Sequence, residues 1–161
     1  MYKKNVINLV AKALIDRNET ISVAESVTAG HLQLALSLGE NARQYFQGGI
    51  TAYNIGQKAR LLNVEPIHAE NCNGVSNLIA EQMALRASEM FTSTWSIGVT
   101  GYAAPVPECN ITSLFAYCAI YHDHKLVISE KLTSTYNDVL KVQEDYVNLI
   151  LIRFYKTLCL S

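Results

Sequence analysis

Three short stretches of this 161-residue chain place reactive or donor-rich groups where a strand hands over to a helix or a loop. In open α/β sheets ligands bind at such junctions. The first stretch is Glu25-Ser26-Val27-Thr28-Ala29-Gly30. A serine in a strand-to-helix turn stands on a rigid scaffold, and the helix N-terminus behind it favours developing negative charge. Taken alone, the plainer reading is that Ser26 or Thr28 caps the helix. The second stretch runs from Tyr45 through Gly48, Gly49 and Tyr53 to Lys58. A lysine near a partly buried serine acts as a general base if desolvation lowers its pKa. A single helix lysine is otherwise a solvated surface group. The third is Thr100-Gly101-Tyr102-Ala103-Ala104-Pro105, a strand-end loop of the kind that turns backbone N–H groups toward an anion, or an ordinary Gly/Pro turn.

The elements that must position these groups follow from hydrophobic periodicity. Val6, Leu9, Val10, Ala13 and Leu14 recur at helical spacing and predict a first helix ending near Asn18. Thr20–Ala24 reads as a strand, Glu25–Gly30 as a turn, and His31–Leu38 as a helix that Gly39 stops. Gly48–Tyr53 reads as a second strand, followed by a helix carrying Lys58, Leu61 and Leu62, with Pro66 beyond its end. Ser76 caps a helix whose inner stripe is Ile79, Met83, Ala87 and Met90. Trp95, Ile97 and Val99 alternate into a strand that runs into Thr100-Gly101. Tyr102–Asn110 is a loop. Ile111–Tyr121 and Leu126–Thr133 form a hairpin about His122-Asp123-His124-Lys125. A closing helix spans about Asp138–Leu158 and turns Tyr146, Val147, Ile150, Leu151 and Phe154 inward. The pattern predicts one α/β domain over residues 1–161: a three-layer α/β/α sandwich with a mixed sheet of five or six strands and helices on both faces.

Composition excludes other classes. Half of the residues are hydrophobic and 17% are charged, which is ample for a core and too apolar for global disorder. Thirteen basic residues against fourteen acidic give a net charge of -1. No basic cluster exceeds Lys3-Lys4, so neither a nucleic acid nor an anionic membrane surface is an expected partner. No apolar run nears the roughly 20 residues that span a bilayer. Asn5, Asn8 and Lys12 interrupt any signal-like stretch, which leaves a cytoplasmic location as the expectation. Cys72, Cys109, Cys118 and Cys159 contain no CxxC pair and are expected as reduced, mostly buried thiols. His122 and His124 stand at i and i+2, a spacing that can chelate a metal, but in a hairpin turn with no third ligand nearby. A solvated turn is the stronger reading, and no metal site is assigned. His31 and His68 read as isolated surface residues. Leu149, Ile152 and Leu160 exceed what one inward stripe of the last helix requires and suggest a homodimer contact.

Taken together, the three stretches resemble, in order and spacing, the C-terminal domain of the competence/damage-inducible protein CinA, in the same family as the bacterial nicotinamide-nucleotide amidohydrolases. The family's ESCTGG is similar to Glu25–Gly30, and its YFxGGxxAYxxxxK to Tyr45–Lys58. GAVS is similar in part to Asn73-Gly74-Val75-Ser76, and TGxAGPxG to Thr100–Pro107. The likeness covers nearly the whole chain. It implies a serine-dependent deamidase that converts nicotinamide mononucleotide to the acid and ammonia, without a metal or cofactor, in a protein that is often dimeric. Carried over, Ser26 is the nucleophile and Lys58 its base, and Tyr53 assists proton transfer or positions Lys58. The implied substrate contacts are Glu25, Thr28, Gly30, Tyr45, Gly48, Gly49, Thr100, Gly101, Ala103 and Pro105. Tyr45 and Phe46 can stack a nicotinamide ring or belong simply to the core.

The chain departs from the pattern inside these motifs. Val27 stands for the cysteine of the first motif and Ala29 for its first glycine; Ala104 and Pro107 replace glycines of the last. A Cβ limits close backbone approach, and proline also removes a donor. The family's arginines at the start of the last helix, suited to a phosphate, have no counterpart in Tyr136–Tyr146, where Lys141 is the one base. Two classes therefore stand side by side: an amidohydrolase with a shifted or smaller substrate, and a non-catalytic relative that binds a ligand or partner.

Overall fold

The structure, a computed structural model, describes residues 1–161. Its sheet has five strands: β1 (Ile21–Glu25), β2 (Phe46–Thr51), β3 (Trp95–Gly101), β4 (Phe115–His122) and β5 (Lys125–Thr133). They lie in the order β2-β1-β3-β4-β5. β1 pairs in parallel with both β2 and β3, while β4 runs antiparallel to β3 and β5 antiparallel to β4. One face carries α1 (Lys4–Asp16), α2 (His31–Ser37) and α6 (Val139–Leu160); the other carries α3 (Ile55–Leu62), α4 (Pro66–Asn71) and α5 (Asn77–Phe91). This is the three-layer α/β/α arrangement that the periodicity predicts. Because helices cover both faces, every residue of β1 is buried.

The larger core sits under α1, α2 and α6, where Val10, Leu14, Tyr146, Ile150 and Phe154 close on Ile21, Val23, Trp95 and Ile97. Trp95 packs edge-on against Phe154 (centroids 5.3 Å, 72°) and lies flat against His122 (4.0 Å, 11°). On the opposite face small residues let α5 come close to the sheet. A Cβ on Gly98 would stand 2.2 Å from the Ala80 carbonyl oxygen. Caps fix the helix starts: Ser76 Oγ accepts from Ile79 N at 3.2 Å and Asp138 Oδ1 from Lys141 N at 3.0 Å.

Several expectations need correction. Pro66 lies beyond the end of α3 as expected, but it also opens an unexpected helix, α4, where its missing N–H is harmless, behind a Glu65 cap. Met90 is 42% exposed, because in the last turn of α5 it is Phe91 that reaches the sheet, at Gly48. The strand expected from Ile111 begins only at Phe115; Ile111 makes one isolated bridge to Val106. Of the cysteines only Cys118 is buried, while Cys109 and Cys159 are exposed. Leu149 packs on the core and Ile152 is half-buried, so Leu160, at the helix end, is the exposed member of the trio read as a dimer contact. The hairpin turn is as expected, with Asp123 and His124 both left-handed (φ 47° and 60°), the twist that suits a two-residue connection. No helix is long and apolar enough to cross a membrane.

Candidate functional site

The turn after β1 is built around a buried carboxylate. Glu25 is fully buried, and its two oxygens accept four hydrogen bonds: Thr28 Oγ1 (2.6 Å), Gly30 N (3.1 Å) and Leu32 N (3.0 Å) on one, Gln33 N (2.8 Å) on the other. Three of these donors are orphan N–H groups at the start of α2, so the charge meets the positive end of the helix. The chain reaches this geometry through two left-handed residues, Ala29 (φ 49°) and Gly30 (φ 99°). Ser26 is held at the lip of the turn, its N–H donating to the Val99 carbonyl at 3.0 Å. The N–H groups of the next two residues, Val27 and Thr28, donate to no backbone carbonyl.

Opposite stands Lys58, on α3, whose start is capped by Asn54 Oδ1 accepting from Gln57 N at 2.9 Å. Lys58 is only 3% exposed, and the ion pairs of the chain all lie elsewhere. Burial therefore lowers its pKa from the ordinary 10.5 to about 8, against a small opposing effect of Cys72. Its ammonium lies against Gly74, a left-handed residue (φ 69°) where an added Cβ would come 3.2 Å from Nζ. Thr100, at the end of β3, pins that glycine by donating from Oγ1 to the Gly74 carbonyl at 2.7 Å. The second, third and GAVS-like motifs thus converge on one lysine.

Between Ser26 and Lys58 opens a cleft of about 740 Å³, the size of a small-molecule site. Tyr53, Gly101 and Ala103 also line it. Ser26 and Lys58 share its wall without a hydrogen bond between them. Tyr53 is 68% exposed at the mouth and makes no hydrogen bond to Lys58. The sequence-expected contacts that the structure keeps out of the cleft have local duties. Glu25, Thr28 and Gly30 build the turn. Tyr45 is fully buried and donates its hydroxyl to the Leu36 carbonyl, which removes it as a stacking surface. Gly48 and Gly49 make room for Phe91 and for Gln33 with Val23. Thr100 acts through Gly74, and Pro105 is exposed outside the cleft. His122 is engaged by Trp95 and His124 by Ser88 Oγ (3.0 Å), so the two imidazoles serve separate contacts. His31 and His68 also have partners, Tyr2 and Ser76.

Sequence reasoning missed Asn54 and Val139 and gave no individual role to Asn73 and Tyr102, which lie inside motifs it singled out; all four are on the cleft wall. Asn54 carried a cap signal, an Asn before an apolar helix. Tyr102 and Val139 reach the cleft only through the packing of a loop and of the start of α6. Tyr102 is braced edge-on by Phe115 (5.3 Å, 74°), and Asn73 donates to its hydroxyl at 3.3 Å.

Comparison with known proteins places this geometry. A family model described as the CinA C-terminal domain matches residues 3–156. A CinA-like protein of Picosynechococcus sp. is 36% identical over 115 residues, which is 71% of this chain and 27% of that protein. One from Synechocystis sp. is 40% identical over 100 residues, 62% of this chain and 24% of the other. The chain thus spans about a quarter of the length of these curated relatives. Among solved structures, a CinA superfamily protein from Klebsiella pneumoniae superposes with a TM-score of 0.93 over 100% of both chains at 20% identity. A competence or damage-inducible protein from Enterobacter asburiae gives 0.91 over 98% of this chain and 99% of its own, at 23% identity. At those identities the likeness concerns the fold.

Proposed function

The chain belongs to the CinA C-terminal domain family, and from that premise we propose that it is a serine-dependent carboxamide hydrolase with the chemistry of the nicotinamide-nucleotide amidohydrolases, converting an amide to the acid and ammonia. One observation carries the reading: Lys58, buried without a counter-ion, faces the same cleft as a serine held in a strand-to-helix turn. A buried unpaired ammonium is costly to the fold, and such a group gains its use as a base.

The steps follow from the groups present. Neutral Lys58 Nζ takes the Ser26 hydroxyl proton as Oγ attacks the amide carbon. The electron pair moves to the carbonyl oxygen, which the N–H group of Val27, on the cleft wall and without a backbone acceptor, is free to receive. Collapse of this intermediate breaks the C–N bond; Lys58 returns its proton to the nitrogen, and ammonia leaves. Water, deprotonated by Lys58, then attacks the Ser26 ester. The acid departs and Oγ recovers its proton.

The test is ammonia release from nicotinamide mononucleotide and its nucleoside by the native chain and by Ser26→Ala. Release that vanishes in the variant while the melting temperature stays within a few degrees supports the proposal. Release that persists in Ser26→Ala overturns it, as does none from either protein at high enzyme concentration. One observation favours a second reading, a ligand-binding relative without turnover: no hydrogen bond joins Ser26 to Lys58. Binding without ammonia release is the result that reading expects.

A further inference from the structure

We infer that the cleft takes an unphosphorylated carboxamide carried on a flat aromatic or apolar body. The inference rests on the carboxamide-hydrolase reading above and names the substrate class of that same site.

The charge on the cleft wall is the first observation. Lys58 is the one charged side chain that lines it. A phosphate monoester brings nearly two negative charges at neutral pH, and an anion taken out of water needs cations or several donors. Lys58 cannot serve both purposes. A phosphate beside it favours its charged form, and a protonated lysine cannot take the proton of Ser26. Two helix N-termini open on the cleft, α3 through Ile55 and Gly56 and α6 through Val139. Each is worth roughly half a positive charge. That of α6 already has an acid, the Asp138 carboxylate that caps it at 3.0 Å. What remains falls short of a phosphate dianion.

The second observation is the rim. Val139, the first residue of α6, lines the cleft and is about half-exposed, and its sequence neighbours Tyr136 and Leu140 are exposed to a similar degree. Tyr53 is exposed at the mouth, and the Tyr102 ring is held edge-on by Phe115. An exposed ring at the mouth and rings and aliphatic groups along a concave wall suit a flat apolar body. The polar groups that complete the wall, Asn54 and Asn73, are neutral. They suit hydroxyl or amide groups.

The experiment compares two probes that differ only by phosphate, nicotinamide mononucleotide and nicotinamide riboside. Their binding to the native chain and to Ser26→Ala is measured by calorimetry, and ammonia release by the native chain is followed separately. The expected result is that the riboside binds both proteins at least as tightly as the nucleotide. Nucleotide binding tighter by tenfold or more overturns the inference and leaves the hydrolase reading standing. Binding of neither probe overturns the inference whatever the activity. Preferential binding of the riboside with no ammonia released supports this pocket chemistry while the hydrolase reading falls. Val139→Arg supplies the missing cation at the rim, and the nucleotide-to-riboside affinity ratio rises about tenfold. A ratio that does not move overturns the charge argument.

Discussion

Lys58→Met makes the chain more stable, and the size of the gain depends on pH. Burial lowers the lysine pKa from 10.5 to about 8. At about 1.36 kcal/mol for each pH unit, keeping the charged form costs the folded chain about 3 kcal/mol. The sign follows from where the proton sits. Below about pH 8 both folded and unfolded chains hold it, so the cost is fully present. Between about 8 and 10.5 the unfolded chain still holds a proton that the folded chain has released, so stability rises with pH. Above 10.5 both are neutral and the cost is gone. Methionine has a comparable reach and no charge, so the variant is more stable by about 3 kcal/mol near pH 7 and loses this slope. Urea unfolding of both proteins, followed by circular dichroism from pH 7 to pH 10, measures the difference. Subtracting one curve from the other cancels groups common to both, such as Tyr45, whose pKa burial raises to about 12. The same titration governs turnover. The neutral fraction of Lys58 grows about tenfold between pH 7 and pH 9, and ammonia release by the native chain rises with it, while Lys58→Met releases none. A variant less stable than the native chain at pH 7, or a difference that stays constant to pH 10, would refute the reasoning.

Other substitutions separate the parts of the site. Glu25→Gln leaves the four donors around that position facing a neutral amide; the variant loses about 2–4 kcal/mol in urea unfolding and its ligand affinity falls as the Ser26 turn loosens. Gly74→Ala places a Cβ at φ 69° and 3.2 Å from Lys58 Nζ. It costs about 1–2 kcal/mol by the same melt, and ammonia release drops more than tenfold as the amine is displaced. Gly98→Ala drives a Cβ to 2.2 Å from the Ala80 oxygen and 2.6 Å from Ala84 N, both backbone, and lowers stability by about 3 kcal/mol or more; an unchanged melt would mean that α5 is not so close to β3. Ala104→Gly, on the cleft wall, changes ligand affinity measured by calorimetry, whereas Pro107→Gly, outside it, does not.

What could be read from the residue order differs from what could not by the range of the interactions involved. The alternation Trp95, Ile97, Val99 and the α6 stripe Tyr146, Val147, Ile150, Leu151, Phe154 are local patterns, and all eight side chains are buried. The Ser76 cap needs only the helix behind it, so it too was legible. Glu25 was not. An acid in a donor-rich motif reads as a substrate contact, and its capture by N–H groups up to eight residues away depends on Ala29 and Gly30 entering the left-handed region. For Ala29 that conformation carries a steric penalty of about 1–2 kcal/mol, which four bonds to a carboxylate outweigh. Gly48 and Gly49 misled for the opposite reason. Paired glycines beside reactive residues suggest ligand approach, but Phe91 arrives from the end of α5 and Gln33 from α2, and neither is implied by the motif. The same logic bears on the missing glycines of the last loop. Ala104 faces the cleft and Pro107 does not, so one departure can alter the ligand while the other alters only the path of an exposed turn. A motif match therefore weighs each glycine equally, whereas the packing divides them into those that admit a ligand and those that admit a neighbouring side chain. On that division, the groups left facing the cleft are Ser26, Lys58 and an uncharged wall.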